Sequence, residues 1–217
     1  MLLHFSPIRL MRRSVAPRIF LIGIFSSLLS LTGCIFAPSM GQTSRCPEPS
    51  SSSEKALTSL SLSKFTPHAQ LLEQSWIAYR QRFIQPDGRV IDWEAGDRTT
   101  SEGQAYAMLR AVLIDDPGTF ACTLNWAEHN LARKDANGKL IDRLWAWKWG
   151  RTSLISWGIQ DSNFASDADI DAITALILAS RRWNHPEYLA IARSKLNDLW
   201  NLSTAVVPDR SRYLLPG

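Results

Sequence analysis

Three stretches of this chain hold residue types whose spacing could do chemistry. Thr99-Thr100-Ser101-Glu102-Gly103-Gln104 places a carboxyl where a helix should begin. Glu102, Ala105, Tyr106, Leu109 and Leu113 then share one helical face, so the carboxyl stands at the entrance of an apolar stripe. Burial there would favour the protonated form that a general acid needs; the positive end of the helix dipole would oppose it. The structural alternative is a capping box, with Thr99 as cap and Glu102 reaching back to the cap's N–H.

The second stretch is Asp161-Ser162-Asn163 followed by Ser166-Asp167-Ala168-Asp169-Ile170-Asp171. An Asp-x-Asp-x-Asp pattern suggests a calcium loop. Counting from Asp167, however, the sixth position is Ala172 rather than Gly and the twelfth is Leu178 rather than Glu, which argues against an EF-hand. Capping by Ser166 or Asp167 is the plain reading. Three acids at the mouth of one helix still exceed what a cap needs. The third stretch is Trp145-Ala146-Trp147-Lys148-Trp149-Gly150, with Trp157 beyond it. If extended, its alternation points three indoles one way. They serve either as core plugs or as a platform on which sugar C–H faces stack while carboxylates and amides take the hydroxyls. No metal centre is expected, because His4, His68, His129 and His185 are scattered. Neither Gly-x-Ser-x-Gly nor a phosphate loop occurs.

The elements that must position these residues read as helices. Periodicity predicts them at about 68–84 (Leu72, Trp76, Tyr79, Phe83), 100–114, 117–132 (Phe120, Leu124, Ala127, Leu131), 167–182 and 186–200. Pro86-Asp87-Gly88 stops the first and Asp116-Pro117 opens the third. The stretch 89–93 looks extended, and 205–208 reads as a short strand. The fourth helix is apolar almost all round and should be deeply buried. The span 134–164 reads as a long loop, and no strand series looks long enough for a sheet. The expected class is therefore all-α, built of helical hairpins. Five helices is an odd number for paired hairpins, and Leu214-Leu215-Pro216-Gly217 reads as the entry to a further element.

The body carrying these elements is electrically balanced. The chain has 217 residues with Lys+Arg 24 and Asp+Glu 20, but Arg9, Arg12, Arg13 and Arg18 precede residue 34 with no acid among them. The rest is neutral overall, which argues against a nucleic-acid partner. That basic start precedes Ile19–Leu31, too short to span a bilayer but right for a signal-peptide core. Leu31-Thr32-Gly33-Cys34 resembles a bacterial lipoprotein box, which would make Cys34 a lipidation site and anchor the protein to a membrane. The alternative is an ordinary cleaved signal and a secreted product. Met11 would serve equally well as the start. Residues 1–33 are thus the expected leader, 34–60 a Ser/Pro-rich tether and 61–217 one folded domain. Export would permit a Cys46–Cys122 disulfide, but Cys46 lies in the tether and a buried, unpaired helix residue is preferred for Cys122.

Taken together, Asp87-Gly88-Arg89-Val90-Ile91-Asp92, Thr99 through Tyr106, Trp126 through Ala132, Ala146 through Gly150, Asp161 through Asp169 and Leu214 through Gly217 resemble the bacterial glycoside hydrolase family 8, in particular its endoglucanases of cellulose-synthesis operons. Order and approximate spacing match over about residues 70–217. One departure is Ala172-Ile173, which reverses the usual order after the second aspartate. The resemblance implies an (α/α)6 barrel of twelve helices, about half of it present here. It implies endo-acting, inverting hydrolysis of β-1,4-glucan with no cofactor. Glu102 matches the proton donor, and Asp167 the aspartate beside the sugar being cleaved. Trp147, Trp149, Asp161, Asp169 and Tyr106 complete the implied sugar-binding set. The family's general base, an aspartate, lies farther along than Gly217. That leaves three readings: an exported, lipid-anchored endoglucanase on the periplasmic side of the membrane, with β-glucan and the cellulose-synthesis machinery as partners; an inactive glucan-binding chain, poorly stable or oligomeric because helix faces are left open; or a helical interaction module whose tryptophans are core.

Overall fold

The computed structural model describes residues 45–47 and 67–217. The leader, Cys34 and most of the tether lie outside these residues. Five α-helices are present among the described residues: α1 Pro67–Phe83, α2 Ser101–Ile114, α3 Pro117–Asn130, α4 Ser166–Trp183 and α5 Pro186–Leu202. All five fall where periodicity placed them. Their ends have local causes. Thr100 caps α2 by accepting from the Gly103 N–H at 3.2 Å, and Asp116 caps α3 by accepting from the Thr119 N–H at 2.9 Å. Pro117 and Pro186 open α3 and α5, where the missing N–H costs nothing. Asp115 and Asn184 close α2 and α4 in left-handed conformation, at φ 67° and 56°.

Two expected caps are corrected. Thr99 is not the cap of α2: its hydroxyl donates to the Val90 carbonyl at 2.7 Å and accepts from Arg89 Nε at 2.8 Å. At α4 the cap position is Ala165, which has no capping side chain, while the Ser166 hydroxyl donates to the Leu215 carbonyl.

The helical class stands, but the expected loop over 134–164, with no strands long enough for a sheet, is corrected. That span is mostly sheet. Strand β3, Leu140–Arg151, is the spine; β1 (Thr99–Thr100), β2 (Ala132–Lys134) and β4 (Trp157–Phe164) all pair with it antiparallel. A second ladder joins β5 (Thr204–Val206), the expected short strand, to β6 (Arg212–Leu214). Tryptophan favours strands, but two register shifts between Ala146 and Trp149 break the two-residue alternation. The indoles consequently do not share one face.

The sheet fixes how the helices lie. β1 and β4 both run antiparallel to β3, hence parallel to each other. β1 runs directly into α2, and β4 reaches α4 after one residue. The two helices pack on each other with their N-termini at the sheet. At the far end Asp115, closing α2, accepts from Arg182 Nε at 2.7 Å and Trp183 Nε1 at 2.8 Å on α4. The contact between them is made of small residues. α4 turns Ala168, Ala172, Ala175 and Ala179 inward, and α2 buries Ala105, Ala107, Met108 and Ala111. α5 packs on α4, and α3 on α2.

Close packing through alanine leaves larger apolar residues outside. Tyr106 and Leu113 of α2 are 54% and 71% exposed, so the stripe beginning at Glu102 is mostly the outer face rather than the buried one. Ile170, Thr174 and Leu178 form an exposed face on α4, which is therefore less deeply buried than its composition suggested. On α1, Trp76 is buried and stacks on Tyr79, but Leu72 is exposed.

The tether is not free along its whole length. Cys46 forms a disulfide with Cys122 of α3, which corrects the unpaired reading of Cys122. The Cys46 N–H donates to the Pro86 carbonyl, and Arg80 donates to the Pro47 carbonyl. None of the described helices is long and apolar enough to cross a membrane.

Candidate functional site

The shared end of α2 and α4 collects the residues singled out above. Lys148 of β3 pairs with Thr100 on one side and Asp161 on the other. Thr100 leads into Glu102, in the first turn of α2, half-buried, with the Ser101 hydroxyl donating to its Oε2 at 3.2 Å. Asp161 leads through Phe164 into Asp167, exposed in the first turn of α4.

A cavity of about 280 Å³ opens at this end, with Trp147, Asn163, Phe164 and Asp167 in its lining. Trp147 is held there by its surroundings. Its indole N–H bonds the Asp161 carboxylate, Arg98 lies 6.0 Å from its ring centroid, and Lys148 lies 5.5 Å from it. Asp161 is held below the usual carboxylate range, first by the Asn163 backbone N–H, then by the Trp147 indole, with Lys148 adding to both. Asp171, one turn beyond Asp167, is pushed upward by partial burial and by the Asp167 charge. An aromatic face beside a carboxylate and an amide suits a neutral ring bearing hydroxyl groups.

The other expected binding residues lie elsewhere. Tyr106 is one turn along α2 from Glu102, with its ring in solvent. Trp149 is packed rather than open: it meets Trp126 edge-on at 5.1 Å, stacks on Trp157 at 5.5 Å, and carries Arg89 4.6 Å from its ring centroid. Asp169 cannot reach a ligand in the cavity, being 0% exposed. Its Oδ1 accepts from the Trp145 N–H at 3.3 Å and lies 3.9 Å from Lys195 Nζ. Burial pushes its carboxyl up to about 7, against the pull of Lys195. Among the described residues no group of three or more His, Cys, Asp or Glu converges to hold a metal.

Three residues to which the sequence reading gave no role shape this end. Gln104, fully buried, accepts from the Val90 N–H at 2.6 Å and donates to the carbonyls of Gly88 and Thr123. It ties α2 to the turn before it and to α3. Arg89 bridges Trp149 and Trp157, and donates to Thr99 and to the Asp97 carbonyl. Arg98 braces Trp147 and pairs with Asp92 at 3.1 Å. A polar side chain on the alanine face of α2 was the available signal for Gln104; nothing in the spacing pointed to the arginines.

Comparison with known proteins identifies the family of the fold. Residues 50–217 match the model of glycosyl hydrolases family 8. The chain is 36% identical over 162 residues to an endoglucanase of Escherichia coli K12, covering 74% of this chain and 43% of that protein. Among solved structures, an endoglucanase from Komagataeibacter sucrofermentans superposes with a TM-score of 0.60 at 32% identity, over 67% of this chain and 43% of the other. An endo-1,4-D-glucanase from Vibrio fischeri gives 0.60 at 34% identity, over 66% and 41%. The chain thus spans less than half the length of the relatives it matches. It belongs to glycosyl hydrolases family 8, and its helices are part of that family's (α/α)6 barrel.

Proposed function

We propose that this chain supplies the acid side and part of the sugar-binding surface of an exported endo-β-1,4-glucanase that inverts the anomeric centre. The observation that carries this reading is the convergence of Trp147 and Asp167 on one cavity, at the helix ends where Glu102 also begins its helix. The relatives' names as endoglucanases support the substrate class.

In this mechanism a β-glucan stacks one ring on Trp147. Asp167 accepts a hydroxyl hydrogen bond from the ring under attack, and its negative charge stabilises the oxocarbenium-like transition state. Protonated Glu102 gives its proton to the glycosidic oxygen as the bond to the anomeric carbon breaks. Water adds from the opposite face of the ring, deprotonated by a carboxylate ~6.5–9.5 Å from the acid. That base is supplied by another carboxylate of the barrel, and residues 67–217 supply the protonation and the holding of the sugar.

The Cys46–Cys122 disulfide supports export to an oxidising compartment. Lipid attachment at Cys34, a place on the periplasmic side of the membrane and an association with cellulose synthesis complete the proposal. Radiolabelled palmitate incorporated by the wild type and lost in Cys34→Ser would support the anchor; equal labelling would exclude it.

The hydrolytic claim is tested on soluble cellulose derivatives, with these 217 residues joined to the remainder of a family 8 barrel. Glu102→Gln should lower kcat by roughly 10²–10⁴, the range for losing a general acid. Proton NMR of fresh product should show the α-anomer first. Undiminished turnover in Glu102→Gln, or β-anomer first, would overturn the assignment.

A further inference from the structure

Behind the cavity lies a buried charged cluster that the reaction does not use. Lys195 of α5 is 0% exposed. Its Nζ donates to the Arg143 carbonyl at 2.6 Å, lies 3.2 Å from Glu128 Oε1 on α3, and sits 4.0 Å from the Trp145 ring centroid. Trp145 Nε1 donates to the same Glu128 oxygen at 2.9 Å, and its backbone N–H donates to Asp169. Asp142 and Arg133 pair nearby at 2.6 Å. Asp169 Oδ2, equally buried, has no hydrogen-bond partner, an arrangement costly enough to call for an explanation.

The explanation lies in register. The hydrogen bond between Trp145 and Asp169 joins β3 to α4. Two residues along β3 is Trp147, and two residues back on α4 is Asp167. These are the two side chains that meet across the cavity. A shift at the bond moves both. We propose that Asp169, backed by Lys195, is a positioning residue that sets the placement of Asp167 against Trp147, so that its charge state tunes the sugar site. This rests on the sugar-binding reading above. Neutralising Asp169 weakens its acceptance from the Trp145 N–H and its attraction to Lys195, loosening a tie between β3 and α4 that adds to the β3–β4 pairing.

The charges acting on Asp169 are Lys195 on α5, Asp142 on β3 and Arg133 on β2, with Glu128 of α3 on the other side of Lys195.

The test uses the 217-residue chain, labelled with ¹⁵N. The Trp147 indole N–H and the Asp167 amide are followed by NMR from about pH 5 to about pH 9, in wild type and Asp169→Asn. Both signals should move in wild type with a midpoint near neutrality, and the step should vanish in Asp169→Asn. Lys195→Met should carry the midpoint upward; if it fails to fold, Asp169→Asn still decides. A Trp147 indole indifferent to pH, or a step that survives in Asp169→Asn, overturns the proposal. In parallel, cellohexaose affinity should change across the step by roughly fivefold or more in wild type, the lower end of ordinary coupling between sites, and stay flat in Asp169→Asn. Equal pH dependence in both proteins counts against positioning. If wild type binds no cellohexaose at any pH, the sugar reading fails, while the indole titration still decides the positioning.

Discussion

Gln104→Met should cost the fold about 3 kcal/mol, because the side chain is fully buried and each of its polar atoms is used. Methionine has nearly the same volume, so little of the loss comes from a cavity. Three backbone groups lose a partner. The Thr123 carbonyl keeps its helical hydrogen bond within α3 and contributes little. The Val90 N–H and the Gly88 carbonyl are left buried without this partner, at ~1–3 kcal/mol each. Unfolding in urea, followed by tryptophan fluorescence, should show the midpoint falling at unchanged slope, with a drop in Tm of about 6–12 °C for a body of this size. Because Gln104 lies one half-turn from Glu102, the variant should also bind cello-oligosaccharide more weakly than its lost stability alone explains. A change below about 1 kcal/mol would mean that water replaces the amide, and would refute Gln104 as the tie between α2, the preceding turn and α3.

The Cys46–Cys122 disulfide closes a sequence separation of 76, so reduction should remove about 4 kcal/mol of stability by the chain-entropy estimate; superposable urea curves with and without dithiothreitol would contradict it. Gly88 sits at φ 96°, and a methyl there would overlap the Cys122 carbonyl, so Gly88→Ala should cost about 2 kcal/mol or more in a thermal melt, and a wild-type Tm would refute the contact. Asp169 is raised to about 7 in the fold from 3.8, so the native state holds the extra proton between those values. Its contribution is whole below the unfolded value and is lost as pH rises through 7, up to about 4 kcal/mol. Asp169→Asn should flatten that decline, and an unchanged pH–stability curve would refute the burial of its charge.

The helices were legible in the sequence because their ends carry explicit chemistry. Asp116-Pro117 and Asn184-His185-Pro186 mark boundaries that tertiary packing did not move. Which face is buried was harder. On α2 the large residues drew the eye, yet the small face of Ala105, Met108 and Ala111 is inside, because two helices joined through alanine come close and leave Tyr106 and Leu113 out. On α4 the phase was available: Asp169, Ala172, Ile173 and Leu176 share one face, which puts Asp169 in the core and Asp167 on the opposite, open side. The sheet stayed hidden because its short partners β1 and β2 carry almost no pattern, and because the bulges around Trp147 scramble the alternation of β3. Those same bulges separate the indoles, one into the core, one against Trp126, Trp157 and Arg89, and one into the cavity. The Cys46–Cys122 pair was available from the cysteines alone, but the composition of the tether around Cys46 gave no sign that this segment is pinned to α3 and to the Pro86 turn.

The central claim is that the sheet-capped end of α2 and α4 holds a β-1,4-glucan, and calorimetric titration of cellohexaose into this chain tests it most directly. Saturable binding is expected, weakened roughly tenfold or more by Trp147→Ala and by Asp167→Asn as each hot contact is lost, with Trp149→Phe far less harmful. Absence of binding, or equal affinity in wild type, Trp147→Ala and Asp167→Asn, would contradict it.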